Sequence, residues 1–365
     1  MQPRLGRIYS DKLFTNIQGM KKFFLTLIAI LVMLCAVAAD NGRKVQVAGV
    51  AFYNLENLFD TIPNNPENRD LEFTPGGQRQ WNGRKYWEKV HNLAYAISQL
   101  TTRTTPYGPA ILGVSEIENR SVLEDLVAQP EIKPWNLQIV HHDSPDARGV
   151  DVGLLYNPRY FRLQNVTNHR LTAVPFRTRD QMCVVGSLMG QPIAVIVNHW
   201  PSRLGGQEKS SPNREAAAAL CKQIADSLWN VNPDMGVIIM GDLNDDPQDK
   251  SCAKVLGAKK DAKGIGAHGF YNPFWKMLDR GIGTLAYKSS WNLFDQIILS
   301  GNLTEGDESR WHFFEAIVHN KDFLKDTEGN RQGYPKRTYS AGSYLGGYSD
   351  HFPTEILLRR YVTKK

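Results

Sequence analysis

Several residues of this chain have the types and positions that hydrolytic chemistry requires. Asp242 and Asn244 follow the apolar run 237–240, inside Gly241-Asp242-Leu243-Asn244. Asp350 and His351 stand just before Phe352-Pro353 and a last apolar stretch. Asn54 and Glu56 follow 50–53, Glu116 follows 111–115, His199 follows 193–198, and Asp295 opens 296–299. A lone Asp or Asn after a strand is usually a turn residue or a helix cap. Two histidines, several carboxylates and two asparagines, all at the edges of apolar runs, make a set. Strand ends that converge on one sheet edge form the pocket where α/β proteins place function.

Metal-assisted phosphodiester hydrolysis uses such a set. A hard cation such as Mg²⁺ takes carboxylate and amide oxygens, with Mn²⁺ as the alternative. A histidine suits the deprotonation of water near neutral pH, and a carboxylate must orient it. Neutral donors such as Asn meet the charge that develops on phosphate. No Cys/His cluster with zinc spacing competes with this reading.

These residues need elements to hold them. Buried strands are expected at 45–53, 110–114, 152–156, 181–188, 193–197, 237–240 and 294–299, where apolar residues run together. Amphipathic helices are expected at 84–100, 122–128 and 213–229, the last started by Pro212, with Arg214 in its first turn. Strands and helices alternate early, and strand follows strand in the middle. That order fits a pair of sheets flanked by helices. Residues 61–82 and 301–348 show no clear element and read as long functional rims.

The chain has 365 residues with 42% hydrophobic and 22% charged. That composition excludes wholesale disorder and a coiled coil. Residues 20–39 have a basic start, an apolar run and a small-residue end, the form of a secretory signal peptide with Met20 as the start. The expected organisation is therefore a leader, 1–39, and one catalytic domain, 40–365. Export to the periplasm or the extracellular space follows. The formal charge of +6 falls to about +2 without the leader, so overall charge does not argue for a polyanion partner. Cys183, Cys221 and Cys252 remain, and three thiols allow at most one disulfide.

The segments 52–60 (FYNLENLFD), 113–119 (GVSEIEN), 148–158 (RGVDVGLLYNP), 197–203 (VNHWPSR), 241–247 (GDLNDDP), 294–300 (FDQIILS) and 349–356 (SDHFPTEI) resemble, in order, those of the endonuclease/exonuclease/phosphatase superfamily. The resemblance spans most of the chain after the leader. It implies a four-layer α/β/β/α sandwich, two packed mixed sheets flanked by helices, with the active site at one sheet edge. It also implies roles. Glu116 is the main metal carboxylate, with Asn54 and Asp350 beside the metal. His351 is the general base, oriented by Asp295. Asp242 and Asn244 position the nucleophile and stabilise the transition state. His199 hydrogen-bonds the phosphate and protonates the leaving group.

Three further residues are candidates near the substrate. Arg203 is expected to clamp phosphate, and Arg148 is a weaker candidate for the same task. Asp151 either orients His199 or only starts a strand. The expected substrate is nucleic acid. Inositol phosphates, phospholipid head groups and other small phosphoesters are the alternative, and a non-catalytic binding protein is a remote one. Basic and aromatic residues mix in 301–348, as in a backbone-tracking groove, but acidic residues dilute the charge.

Overall fold

A computed structural model describes residues 43–63, 69–287 and 289–363. Residues 46–360 form one compact unit. Of a second unit, 1–45 with 361–365, only 43–45 and 361–363 are described, as ends of strands. The expected leader lies outside the described residues.

The first sheet contains β1 (Arg43–Leu58), β2 (Ile111–Ile117), β3 (Gln138–His141) and β4 (Asp151–Tyr156), with β14 (His312–Val318) and β17 (Thr354–Thr363). Their order is β14-β17-β1-β2-β4-β3. The second sheet contains β5 (Phe161–His169), β6 (Gln181–Leu188), β7 (Gln191–His199), β8 (Gly236–Asp242), β9 (Ala258–Lys259), β10 (Phe270–Tyr271) and β13 (Asp295–Ser300). Their order is β5-β6-β7-β8-β13-β10-β9. Both sheets mix parallel and antiparallel pairs. Two small hairpins stand apart: β11 (Leu285–Tyr287) with β12 (Ser290–Asn292), and β15 (Tyr339–Ser340) with β16 (Ser343–Tyr344).

The apolar runs explain the layers. On β7, Ile193, Val195 and Val197 enter the core shared with the first sheet, while Ala194 and Ile196 enter a second core. On β8, Ile238 and Met240 point inward, and Val237 and Ile239 outward. A strand buried on both faces reads as an unbroken apolar run. Gly113 of β2 leaves room for Met240 across the interface, so any side chain there would displace it. Helix α1 (Gly83–Ser98) adds Val90, Leu93, Ala94 and Ile97 to the first core, and α2 (Arg120–Val127) adds Val122, Leu123 and Leu126. Helix α3 (Gln207–Val231) covers the outer core through Ala217, Ala218, Cys221, Ile224 and Ala225. The architecture is the expected α/β sandwich with two mixed sheets.

Some expectations need correction. Helix α3 starts at Gln207 and carries Pro212 inside it. Gly206, at φ 107°, opens the helix, and Ser210 Oγ donates to the Gly206 carbonyl, so the first turn closes before Pro212. Arg214 is fully buried and does not start the helix. Residues 301–348 contain β14, and β3 and β5 were also unexpected. All three lie at or beside a sheet edge and lack a continuous apolar run. Cys183, Cys221 and Cys252 are buried free thiols.

Candidate active site

Ladder register brings three polar residues together at one end of the second sheet. His199 pairs with Asp242 across β7 and β8, and Asp242 pairs with Asp295 across β8 and β13. All three are buried. From the first sheet, Asn54 Nδ2 donates to Asp242 Oδ2 at 3.0 Å. The loop before β17 is tied to the same place, because Ser349 Oγ donates to the Asn54 carbonyl at 2.7 Å. His351 N donates in turn to Ser349 Oγ at 3.1 Å.

The His351 ring is thereby fixed. Its Nδ1 lies 2.7 Å from Asp295 Oδ2, and its Nε2 lies 3.9 Å from both Asp242 Oδ2 and Asp350 Oδ1. A proton on Nδ1 satisfies the Asp295 carboxylate and leaves Nε2 of the neutral ring as an acceptor. Burial disfavours the cation, but Asp295 and Asp242 outweigh it and hold the ring's pKa well above the usual imidazole range. Burial pushes Asp242 up to about 6, an effect that the His351 charge opposes.

His199 has a different environment. Its Nε2 lies 3.7 Å from Asp242 Oδ2 and 3.8 Å from Glu116 Oε1. Its Nδ1 is buried with no hydrogen-bond partner among the described residues. Burial, then the charges of Arg179 and Arg148, drive its pKa well below the usual range. Arg179 also anchors this strand end: Nε donates to the His199 carbonyl at 3.1 Å and Nη2 to the Trp200 carbonyl at 2.7 Å. Asp146 compensates that guanidinium at 2.9 Å.

The first-sheet residues sit where the parallel pairing of β1 and β2 slips, between Asn54 and Leu58. Glu56, Asn57 and Glu116 have φ of 48°, 50° and 59°. This is a left-handed region that side chains rarely adopt. Such strain clusters at functional sites. The turn lets Asn54 Oδ1 accept from Glu56 N at 2.9 Å and Glu116 Oε2 accept from Asn57 N at 3.0 Å. Burial alone would raise the Glu116 pKa, but Arg148, His351 and Arg179 bring it below the usual carboxylate value. Arg148 Nη2 lies 3.3 Å from Glu116 Oε1. Asp350 Oδ2 accepts from Arg337 at 2.7 Å.

Asn244 is likewise left-handed, at φ 50°. Its amide donates to Asp242 Oδ1 and its Nδ2 to the Trp200 carbonyl, both at 3.0 Å.

Two expected substrate contacts have partners within the protein. Arg203 lies 2.6 Å from Asp249, 3.3 Å from Asp245 and 3.4 Å from Asp246, and its Nε donates to the Asn244 carbonyl at 2.9 Å. Its guanidinium also stacks on Phe294, at 4.4 Å. It braces the Asp242–Asn244 loop: Nη2 faces the three carboxylates, and Nη1 donates to Gln207 Oε1 at 3.0 Å. Arg214 continues this network through Asp245 at 2.7 Å. The Asp151 carboxylate serves His141 at 3.0 Å and Ser144, so it does not orient His199.

The sequence marks Glu56 without a role and Arg337 only among the mixed basic and aromatic residues of 301–348, and it gives Lys89 no place. The fully buried Lys89 ammonium bonds Thr338 Oγ1 and the Tyr348 carbonyl, and lies 3.7 Å from Glu56. The available signal was a lysine in the apolar stripe of α1. Arg179 and Asp146 lie in loops that gave no signal.

Among the described residues, two groups of acidic and histidine side chains offer donor atoms within 4.8 Å of one another. One is Asp242, Asp295 and His351; the other is His141, Asp143 and Asp151. In the first, Nδ1 of His351 is committed to Asp295, which suits proton transfer more than metal ligation. Glu116, Asp350 and Asn54 add hard oxygen donors beside that group.

Residues 49–360 match the endonuclease/exonuclease/phosphatase family, and the chain belongs to it. Members of this family are phosphoester hydrolases, so the chain is an enzyme of that class. Among curated proteins, none matches this chain in sequence. Its fold is similar to that of D. rerio TDP2 humanised by 14 mutations, with a TM-score of 0.54 and 12% identity, covering 86% of this chain and 98% of that one. D. rerio TDP2 in complex with a single-strand DNA product is similar at a TM-score of 0.52 and 14% identity, covering 86% and 98%. A mannosyl-6-phosphatase of Bacteroides thetaiotaomicron is similar at 0.52 and 16%, covering 85% and 99%.

Proposed function

We propose that this chain is an exported, divalent-metal-dependent phosphodiesterase that hydrolyses nucleic-acid backbones. The observation that carries the reading is the Asp295–His351 pair at 2.7 Å, with Nε2 of the ring left facing Asp242. That is the arrangement of an oriented base next to buried polar groups. The similarity to a TDP2 bound to a DNA product supports a nucleic-acid substrate. Export rests on the form of residues 20–39. Among the described residues, no helix is long and apolar enough to cross a membrane.

The donor set fits a hard cation. Glu116 is kept ionised despite its burial, Asp350 has one oxygen outside its bond to Arg337, and Asn54 offers an amide oxygen. These three would hold Mg²⁺, or Mn²⁺ by the same chemistry. Bound there, the ion supplies charge to the phosphate and acidity to water. His351 takes the proton of the attacking water on Nε2, and Asp295 keeps the ring in register and balances the charge formed. Asp242 holds Asn54 and the Asn244 amide in place around the reacting phosphate. Asn244 keeps one side-chain N–H for a phosphate oxygen. His199, kept neutral by burial and by the charges of Arg179 and Arg148, donates a hydrogen bond to phosphate, and the leaving oxygen takes its proton from solvent water.

Supercoiled-plasmid nicking with Mg²⁺, with chelator, and with Glu116→Gln tests the proposal. Nicking that chelator abolishes and that Glu116→Gln supports only at higher Mg²⁺ is the expected result. An intact plasmid with hydrolysis of bis(p-nitrophenyl) phosphate would overturn the nucleic-acid assignment alone. Inactivity of folded protein on both would overturn the phosphodiesterase reading.

A further inference from the structure

A cavity of about 320 Å³ opens beside the site, between the strained turn of β1 and the β15–β16 hairpin. Glu56 and Arg337 form its inner wall, and Phe73, Arg79 and Tyr339 its outer wall. Arg337 joins the cavity to the reaction site, since its Nη2 holds Asp350 at 2.7 Å. Its Nε has no hydrogen-bond partner among the described residues, with Glu56 Oε1 at 3.5 Å.

Arg79 is held mainly by rings. Its guanidinium carbon lies 5.2 Å from the Tyr339 centroid and 5.9 Å from that of Phe73. Its Nε also lacks a hydrogen-bond partner, and the Glu72 carboxylate is 3.8 Å away. Tyr339 Oη and Lys85 Nζ both donate to the Arg79 carbonyl, which fixes the backbone beneath the side chain. Both arginine side chains are about one-third exposed, at 31% and 34%. Aromatic faces orient a guanidinium without consuming its N–H donors. Both Nε atoms are themselves buried, so the terminal N–H groups of the two forks are what a phosphate in the recess would meet, and two such cations match its charge and oxygens. The buried Lys89 ammonium, 3.7 Å from Glu56, offsets that carboxylate.

We propose that this cavity is a subsite for a second phosphate of the substrate, next to the one that is cleaved. The proposal rests on the phosphodiesterase reading. The second phosphate is either the neighbouring link of a nucleic acid or another group on a small polyphosphorylated molecule.

Two nucleotide esters differ only in this group: the p-nitrophenyl ester of thymidine 5′-phosphate, and the same ester with a 3′-phosphate. The protein is expected to favour the bisphosphorylated ester at least tenfold in kcat/KM, mainly through KM. Arg79→Gln should bring that ratio near one, and Arg79→Lys, which keeps the charge, should restore part of it. An equal kcat/KM on the two esters in the native protein, or an unchanged ratio in Arg79→Gln, overturns the subsite.

If neither ester turns over, the phosphodiesterase reading fails separately. Calorimetric titration then judges the cavity. Thymidine 3′,5′-bisphosphate binding at least tenfold tighter than thymidine 5′-monophosphate, with the gain lost in Arg79→Gln, supports it, and equal binding overturns it. The same titration with myo-inositol 1,4-bisphosphate and 1-phosphate assigns the source. A gain on the nucleotide pair alone indicates a backbone phosphate, and a gain on both pairs indicates a site that also takes small polyphosphates.

Discussion

His199, Asp242 and Asp295 stand side by side on an unbroken ladder, whereas Asn54, Glu56 and Glu116 stand where the pairing of β1 and β2 slips. The ladder side needs no unusual backbone at these three residues. Ordinary strand geometry sets their spacing, and their surroundings are packed apolar runs. The slipped side has three left-handed residues, at φ 48°, 50° and 59°, and turns its oxygens toward a cleft with guanidiniums around it. One side is rigid because its fold is regular. The other is shaped at a conformational cost. A proton relay gains from the first arrangement, and a cluster of oxygen donors for an ion gains from the second.

The largest effect should come from breaking the relay. His351→Ala is expected to lower kcat by about 10²–10⁴-fold if the ring is the base. Asp295→Ala should fall in the same direction, and the double variant should lose little more than His351→Ala. Groups that act as a unit are not additive. Steady-state rates of the four proteins complete the cycle. Full additivity would mean that Asp295 works independently of the ring, and that the ladder side holds no relay.

The two histidines sharpen the contrast. In the metal-free protein, His351 should hold a second proton to higher pH than His199, because carboxylates outweigh burial at the first, while burial and then two guanidiniums disfavour the cation at the second. The linkage signs are opposite. His351 has a folded pKa above the ordinary value of 6.5, so its contribution to stability is complete below 6.5 and is lost as pH rises through the raised value. His199 has a folded pKa below 6.5, so the unfolded ring binds a proton that the folded ring refuses, and stability falls as pH drops below 6.5. Long-range ¹H–¹⁵N correlation of the rings reads both states. Asp295→Asn should lower the His351 value. Two rings that titrate together near the ordinary imidazole value would remove the contrast.

The same division governs how much could be read from the chain alone. The central strands were legible because burial on both faces leaves a continuous apolar run, as at 237–240 before Asp242. Motif order identified the residues around the site, including His351 and Glu116. Their geometry was less legible. Nothing in a run of residue types shows that β1 and β2 slip, or that Asn54 reaches across to Asp242. The partners of Arg203 were not legible, because Asp245, Asp246 and Asp249 lie more than forty residues on and look like turn residues. Strand β14 was missed because an edge strand with one wet face carries no long apolar run.

The smallest expected effect tests whether the slipped side is strained. A β-branched side chain in the left-handed region costs about 1–2 kcal/mol, and glycine adopts that region freely. Asn57→Val should therefore lower stability by about that much, read from the midpoint of urea unfolding. Asn57→Gly should stay close to native. Ser187 makes the matching substitution on the ladder side, where it pairs with Arg162 and Pro192 in regular register and is half-buried. Ser187→Val should be nearly neutral, since strands favour branched residues. The Asn57 amide also holds Glu116 Oε2 at 3.0 Å, so Asn57→Val should weaken Mg²⁺ binding in calorimetry while Ser187→Val leaves it unchanged. If both valine variants unfold at the native midpoint, the turn is relaxed, and the difference between the two sides is one of shape without strain.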